Sequence, residues 1–213
     1  MLLPGSCSII EAKEVNPMLR LYGEKKTRRI LRLCQEQIFA LEKRFGIPSA
    51  AMNAILLQEI PQIDLLDLLA DGAVLLYWHV YRLSGRAPRF GKRDSSTGYA
   101  QVFARTAIRS VNFAADAGIA DYKELGLLTD HRLDSGNIRD VRMIWLMLHR
   151  NNDFNLLCAA LTLMDAAQEM TGRIDFLSYS AEEWQLIFTR YNADARHITA
   201  YGREAYRRYT QAL

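Results

Sequence analysis

Glu59 closes the run SAAMNAILLQEI, a stretch that is apolar nearly all round. A carboxylate on such a helix is partly desolvated, and desolvation raises its pKa and favours the neutral acid. A neutral carboxylic acid near pH 7 is what a general acid needs to protonate a leaving glycosidic oxygen. The ordinary alternative is that Glu59 sits at a helix end and faces solvent. A second group lies in DSSTGYAQVFARTA, residues 94–107. Asp94, Ser95 and Ser96 are polar, Gly98 permits a tight turn, and Gln101 can present an amide to a polar ligand. Its ordinary reading is a turn before a helix, with Asp94 or Ser95 as the cap. A third group is Tyr191-Asn192, at a junction between helices where side chains can face a cleft. Locally, Tyr191 also reads as core and Asn192 as a C-cap.

Other chemistries find little support. His79, His131, His149 and His197 show no paired metal-ligand spacing, so no metal is expected, and no cofactor. No glycine-rich phosphate loop occurs. The three cysteines, Cys7, Cys34 and Cys158, are widely spaced and odd in number. They form neither a disulfide framework nor a zinc pattern, and Cys34 and Cys158 read as buried thiols, which suits a reducing compartment.

The elements that must carry these residues are helical. A period near 3.6 runs from about Leu21 to Arg44 and ends at Gly46. Pro48 opens the apolar helix that Pro61 closes. Further helices are expected over Asp64–Leu83, Ala100–Ala117, Asn137–Arg150, Phe154–Met170, Ser180 to about Tyr191, and Ala195–Tyr209. Ser180 with Glu183 makes a capping-box pattern. Residues 85–99, GRAPRFGKRDSSTGY, read as a long functional loop or small β-hairpin. Residues 1–20 read as irregular. The expectation is a mainly α fold in a single domain over residues 1–213.

Composition narrows the partners. The chain has 213 residues, half of them apolar, and a net charge of +3. Residues 1–100 carry 14 Lys+Arg against 10 Asp+Glu, and residues 101–213 carry 13 against 14. That bias is too mild for nucleic acid but compatible with an anionic wall polymer. No run of 18 apolar residues occurs, so no stable membrane insertion is expected. The segment MLLPGSCSIIEAKEV lacks the features of a secretory signal. The expectation is synthesis in the cytoplasm, with export by a non-classical route or membership of a longer protein.

The order of the motifs resembles the lysozyme-like superfamily, in particular soluble lytic transglycosylases and goose-type lysozymes. In those families a Glu follows an apolar helix, as Glu59 follows AILLQ. A Gly-Leu-Met-Gln-Ile/Val segment and a Thr-Ala are matched by Gly98-Tyr99-Ala100-Gln101-Val102 and Thr106-Ala107. An Asn heading an apolar helix is matched by Asn155. The Ala-Tyr-Asn-Ala-Gly segment is similar to Arg190-Tyr191-Asn192-Ala193-Asp194, and a following Tyr-Gly to Tyr201-Gly202. The resemblance covers about residues 50–210. Ile60 and Asp194 depart from the pattern, and the Glu59–Gln101 spacing is longer than in the transglycosylases.

The resemblance implies a lysozyme-like helical domain that cleaves the β-1,4 bond between N-acetylmuramic acid and N-acetylglucosamine in peptidoglycan. Glu59 is then the general acid. Asp94 holds or activates a water, an inverting arrangement with carboxyls roughly 6.5–9.5 Å apart. Ser95, Ser96, Gly98 and Gln101 bind sugar groups, Tyr191 lines the cleft near Glu59, and Asn192 supports it by hydrogen bonds. If Asp94 is not placed for water, transglycosylation giving 1,6-anhydro products needs one carboxylate only. A non-catalytic glycan- or protein-binding helical domain is the third reading. It would leave Glu59 exposed with no cleft around it. A helical regulator or adaptor with no link to walls would instead use the basic-aromatic C-terminal helix with Arg203, Tyr206, Arg207, Arg208 and Tyr209 as its contact face.

Overall fold

The structure is a computed structural model that describes residues 21–212. Cys7 and the expected irregular segment 1–20 lie outside the described residues. Eight α-helices follow one another among the described residues: α1 (Glu24–Phe45), α2 (Ser49–Glu59), α3 (Leu65–Ser84), α4 (Ala104–Asp116), α5 (Ile138–Arg150), α6 (Asn152–Thr171), α7 (Ala181–Asn192) and α8 (Ala200–Ala212). The mainly α expectation therefore holds. A 3-10 turn, Ile60–Gln62, follows α2, with Pro61 inside it.

The core is built on α2 and α6, which the sequence marks by apolar residues on every side. On α2, Ala50, Ala51, Met52, Ala54, Ile55 and Leu56 are all buried. On α6 the buried run extends from Phe154 to Met164. Burying one Leu or Ile side chain fully stabilises the fold by about 1.5–3 kcal/mol, so these two helices supply much of the driving force. Against them pack α1, α4, α7 and α8, with α7 and α8 forming the tightest pair.

Gly202 explains that pair. A Cβ there would lie 2.1 Å from the Thr189 hydroxyl oxygen and 2.3 Å from the Gln185 carbonyl oxygen. Only a residue without a side chain lets α8 approach α7 so closely. The crossing is further tied by the Thr189 hydroxyl, which accepts the Thr199 N–H at 3.1 Å.

Two helix starts differ from the sequence reading. The fourth helix begins at Ala104, not near Ala100, because Gly98 (φ 74°) and Gln101 (φ 50°) adopt the left-handed conformation. Residues of that conformation cannot continue an α-helix. The last helix begins at Ala200 and not Ala195, where the Thr199 hydroxyl accepts the Gly202 N–H. Residues 85–103 form a loop with a single isolated antiparallel bridge, Thr97–Val102, and no hairpin.

The helix α3 stands apart from this body. It makes no extended seam with another helix, and it rests on its neighbours through Val74, Tyr77 and Trp78. No described helix is long and apolar enough to cross a membrane.

Candidate active site

Glu59 is the last residue of α2 and is 8% exposed. It opens onto a cleft of about 340 Å³. Burial pushes its carboxyl up from 4.5 to about 7, and the nearby Asp67 carboxylate adds to the rise. A hydrogen bond from Tyr201 opposes it. That bond runs from the Tyr201 hydroxyl to Glu59 Oε1. Oε2 has no hydrogen-bond partner among the described residues, so it is the oxygen left for a ligand in the cleft. Half protonated near neutrality, Glu59 can give or take a proton there.

Tyr201 reaches Glu59 because Gly202, its neighbour, seats α8 against α7. In the sequence Tyr201 stands only as part of the Tyr201-Gly202 pair, and nothing local marks it as a partner of Glu59. Burial first, then Glu59, pushes the phenols of both Tyr201 and Tyr191 well above their usual range. Both therefore stay neutral donors. Tyr191 lines the same cleft and donates to the Ala100 carbonyl at 2.9 Å, fixing the opposite wall. Asn192 lines the cleft at its exposed edge, and its side chain makes no hydrogen bond to Tyr191.

That opposite wall is the segment 94–103. Ser96 and Gln101 line the cleft with Glu59. The Gln101 amide donates to the Gly98 carbonyl at 2.9 Å and accepts from the Ser96 hydroxyl at 3.1 Å. Thus the turn holds its own polar groups in position. Gly98 does not line the cleft and serves geometry instead. A Cβ there would meet the Asn155 side chain at 2.3 Å. Asn155 is fully buried at the start of α6, accepts the Ala100 N–H at 2.9 Å and donates to the Thr97 carbonyl at 2.9 Å. It replaces for this turn the ladder partner that a hairpin strand would have supplied.

Asp94 is placed differently from the water-activating role expected of it. Both its oxygens accept backbone N–H groups at the start of α4, from Ala104 at 2.9 Å and Arg105 at 3.1 Å. Burial raises its pKa and these donors lower it. It is a helix cap reached from ten residues upstream, and it is not among the residues lining the cleft. Ser95 is also structural. It is buried, donates to Asp71 at 2.6 Å and accepts the Trp145 indole N–H at 3.1 Å.

Several cleft residues escaped the sequence reading. Gln62, Asp67, Phe103 and Thr162 line it with Thr106. Asp67 sits in the first turn of α3, where its Oδ2 accepts the Asp64 N–H at 3.0 Å in a capping box. The Asp64-Asp67 spacing marks a helix start in sequence, but only the turn after Glu59 carries it into the cleft. Among the described residues no group of acidic, histidine or cysteine side chains could hold a metal ion. Cys34 and Cys158 are buried free thiols, and burial pushes both thiol pKa values up.

No protein-family model, no curated protein and no solved structure matches this chain. The resemblance to lysozyme-like proteins therefore rests on the quoted motifs.

Proposed function

We propose that this protein cleaves β-1,4 glycosidic bonds of peptidoglycan, between N-acetylmuramic acid and N-acetylglucosamine, with Glu59 as the general acid and a lysozyme-like fold. The observation that carries the proposal is a buried glutamate of pKa about 7, its Oε1 held by Tyr201, facing a cleft. A glycan-binding domain without activity would have no need of a desolvated carboxyl at that position. Ser96, Gln101, Tyr191 and Asn192 supply hydroxyl and amide groups along the cleft for sugar hydroxyl and N-acetyl groups.

Of the two chemistries, transglycosylation fits the geometry better. Asp94 is committed to the N-terminus of α4, so the pair Glu59–Asp94 lacks its second member. In the one-carboxylate route Glu59 first protonates the leaving oxygen. As the resulting carboxylate it then accepts the proton of the substrate's own C6 hydroxyl, which closes the 1,6-anhydro ring. No water is consumed. A hydrolytic reading is favoured by one observation only. Asp67 lines the same cleft and could orient a water in place of Asp94.

Digestion of purified peptidoglycan, followed by mass spectrometry of the fragments, tests both levels. Release of anhydro-muropeptides supports the transglycosylase. Reducing-end products that disappear in Asp67→Asn support the hydrolase. No release by the wild-type chain, or unchanged release by Glu59→Gln, rejects the proposal.

A further inference from the structure

Away from the cleft, α3 and the loop after it carry a surface with no role in the chemistry above. Leu65, Leu69, Leu76 and Leu83 stand on one face of α3 at helical spacing, and all are exposed, Leu76 at 64%. Leu66, Leu68 and Val80 widen that face. Isolated exposed leucines need no explanation, but a contiguous apolar helix face is unusual on a protein surface. The loop that follows α3 exposes a further apolar side chain, Phe90, at 89%.

Charge is of one sense along the C-terminal half of α3 and the loop after it, while the N-terminal half of the helix carries Asp67 and Asp71. From residue 72 to residue 93 the chain holds Arg82, Arg86, Arg89, Lys92 and Arg93 and no carboxylate. Beside the leucine face, between α3 and α5, lies a cavity of about 430 Å³ lined by Arg82, Arg142, Arg150 and His79 together with Trp78 and three leucines. No carboxylate lines it, and none of the three arginines has an ion pair among the described residues. The Arg142 Nε and Trp78 Nε1 donors are buried without a partner. Unpartnered buried donors and clustered like charges both favour an anion with several acceptor oxygens. Leu76 belongs to the cavity lining and to the exposed face at once. The anion site therefore opens at the edge of the apolar surface.

We propose that α3 and the loop 85–93 form a docking surface for an anionic phospholipid bilayer, with one headgroup phosphate held in the Arg82–Arg142–Arg150 cavity. An amphipathic helix of this kind lies in the interfacial plane, its apolar face at the acyl boundary and its cations among the headgroups. Arginines at the edge keep their charge at the headgroup level while their stems cover apolar surface. The joint presence of a phosphate-type cavity and an adjoining leucine face is what selects a lipid over a free anion. This inference is independent of the activity proposed for Glu59.

The test is co-sedimentation of the full chain with vesicles of phosphatidylcholine alone and of phosphatidylcholine mixed with phosphatidylglycerol. Binding is expected only to the second, weakening as salt rises. Arg150→Gln and Arg142→Gln each weaken it about fivefold. Leu69→Asn with Leu76→Asn, both at exposed positions and checked for helicity, weakens it by roughly tenfold or more. Equal binding to both vesicles, or arginine variants that bind like the wild type, overturns the proposal. Inorganic phosphate that binds the free protein and releases it from vesicles reassigns the cavity to a free phosphate and also overturns it. So does a dimer in sedimentation velocity that Leu76→Asn dissolves, if no vesicle binding is seen.

Discussion

The two sides of the cleft each hold a carboxylate that burial raises, yet put it to different use. On the α2–α7–α8 wall, Glu59 is surrounded by apolar helices and receives one tyrosine hydroxyl. Burial therefore dominates, and its pKa reaches about 7. On the loop wall, burial also raises Asp94, but two backbone N–H groups and the start of α4 oppose it. The same chemical group is a half-neutral acid facing a cleft in one place and a helix cap in the other. What separates them is both the fuller burial of Glu59 and the larger number of fixed donors around Asp94.

Breaking the first wall gives the largest effect. Glu59→Gln keeps the shape and removes the proton, and is expected to lower peptidoglycan cleavage about 10²–10⁴-fold, measured by fragment release. The fold should persist, because a neutral amide replaces a group that burial already favours as neutral.

The next effect is a pH dependence of stability carried chiefly by the first wall, where the carboxyl is pushed up to about 7. Between pH 4.5 and about 7 the folded protein keeps the Glu59 proton that the unfolded chain has lost. The unfolded state then binds fewer protons, so stability falls as pH rises. The contribution is complete below about pH 4.5 and gone above about 7, and amounts to about 3 kcal/mol. Urea denaturation across this range should show the slope in the wild type and lose most of it in Glu59→Gln. An unchanged slope would place the carboxyl in a far wetter environment. The acid step should follow the same group, with the rate declining as pH passes about 7.

The second wall is held by polar ties, and Asn155→Ala cuts two of them. The buried Ala100 N–H and Thr97 carbonyl lose their partner. A loss of about 2–4 kcal/mol in the denaturation free energy is expected. Activity should fall too, since Gln101 and the Tyr191 anchor at Ala100 share that turn.

The smallest effect sharpens the contrast most. Asp94→Ala removes a cap and should cost about 1 kcal/mol of stability, with cleavage lowered only modestly. A loss of activity as large as that of Glu59→Gln, at unchanged stability, would restore Asp94 as a reacting group.

Much of this contrast was legible in the sequence, for local reasons. The apolar run before Glu59 foretold its burial, because a helix without a polar face has nowhere to put one. The Ser180–Glu183 capping box appears where it was read. The ordinary reading of Asp94 as a cap also fits its geometry. Its partners were not legible, because they lie ten and eleven residues on, across a left-handed turn that no local pattern announces. The exposure of the α3 leucines was not legible either. Their period describes an amphipathic helix but does not say which body, if any, covers its apolar face.

The sequence by itself determined the helices, the apolar character of α2 and α6, and the candidacy of Glu59, since propensity and hydrophobic period act within a few residues. Only the tertiary structure decided what Glu59 touches. Tyr201 lies 142 residues away and arrives because Gly202 lets α8 sit against α7. Asp67 enters the cleft through the turn after α2, and Asp94 turns to the α4 N-terminus. A pKa depends on the dielectric and the donors within a few ångströms, and that neighbourhood is assembled from distant parts of the chain.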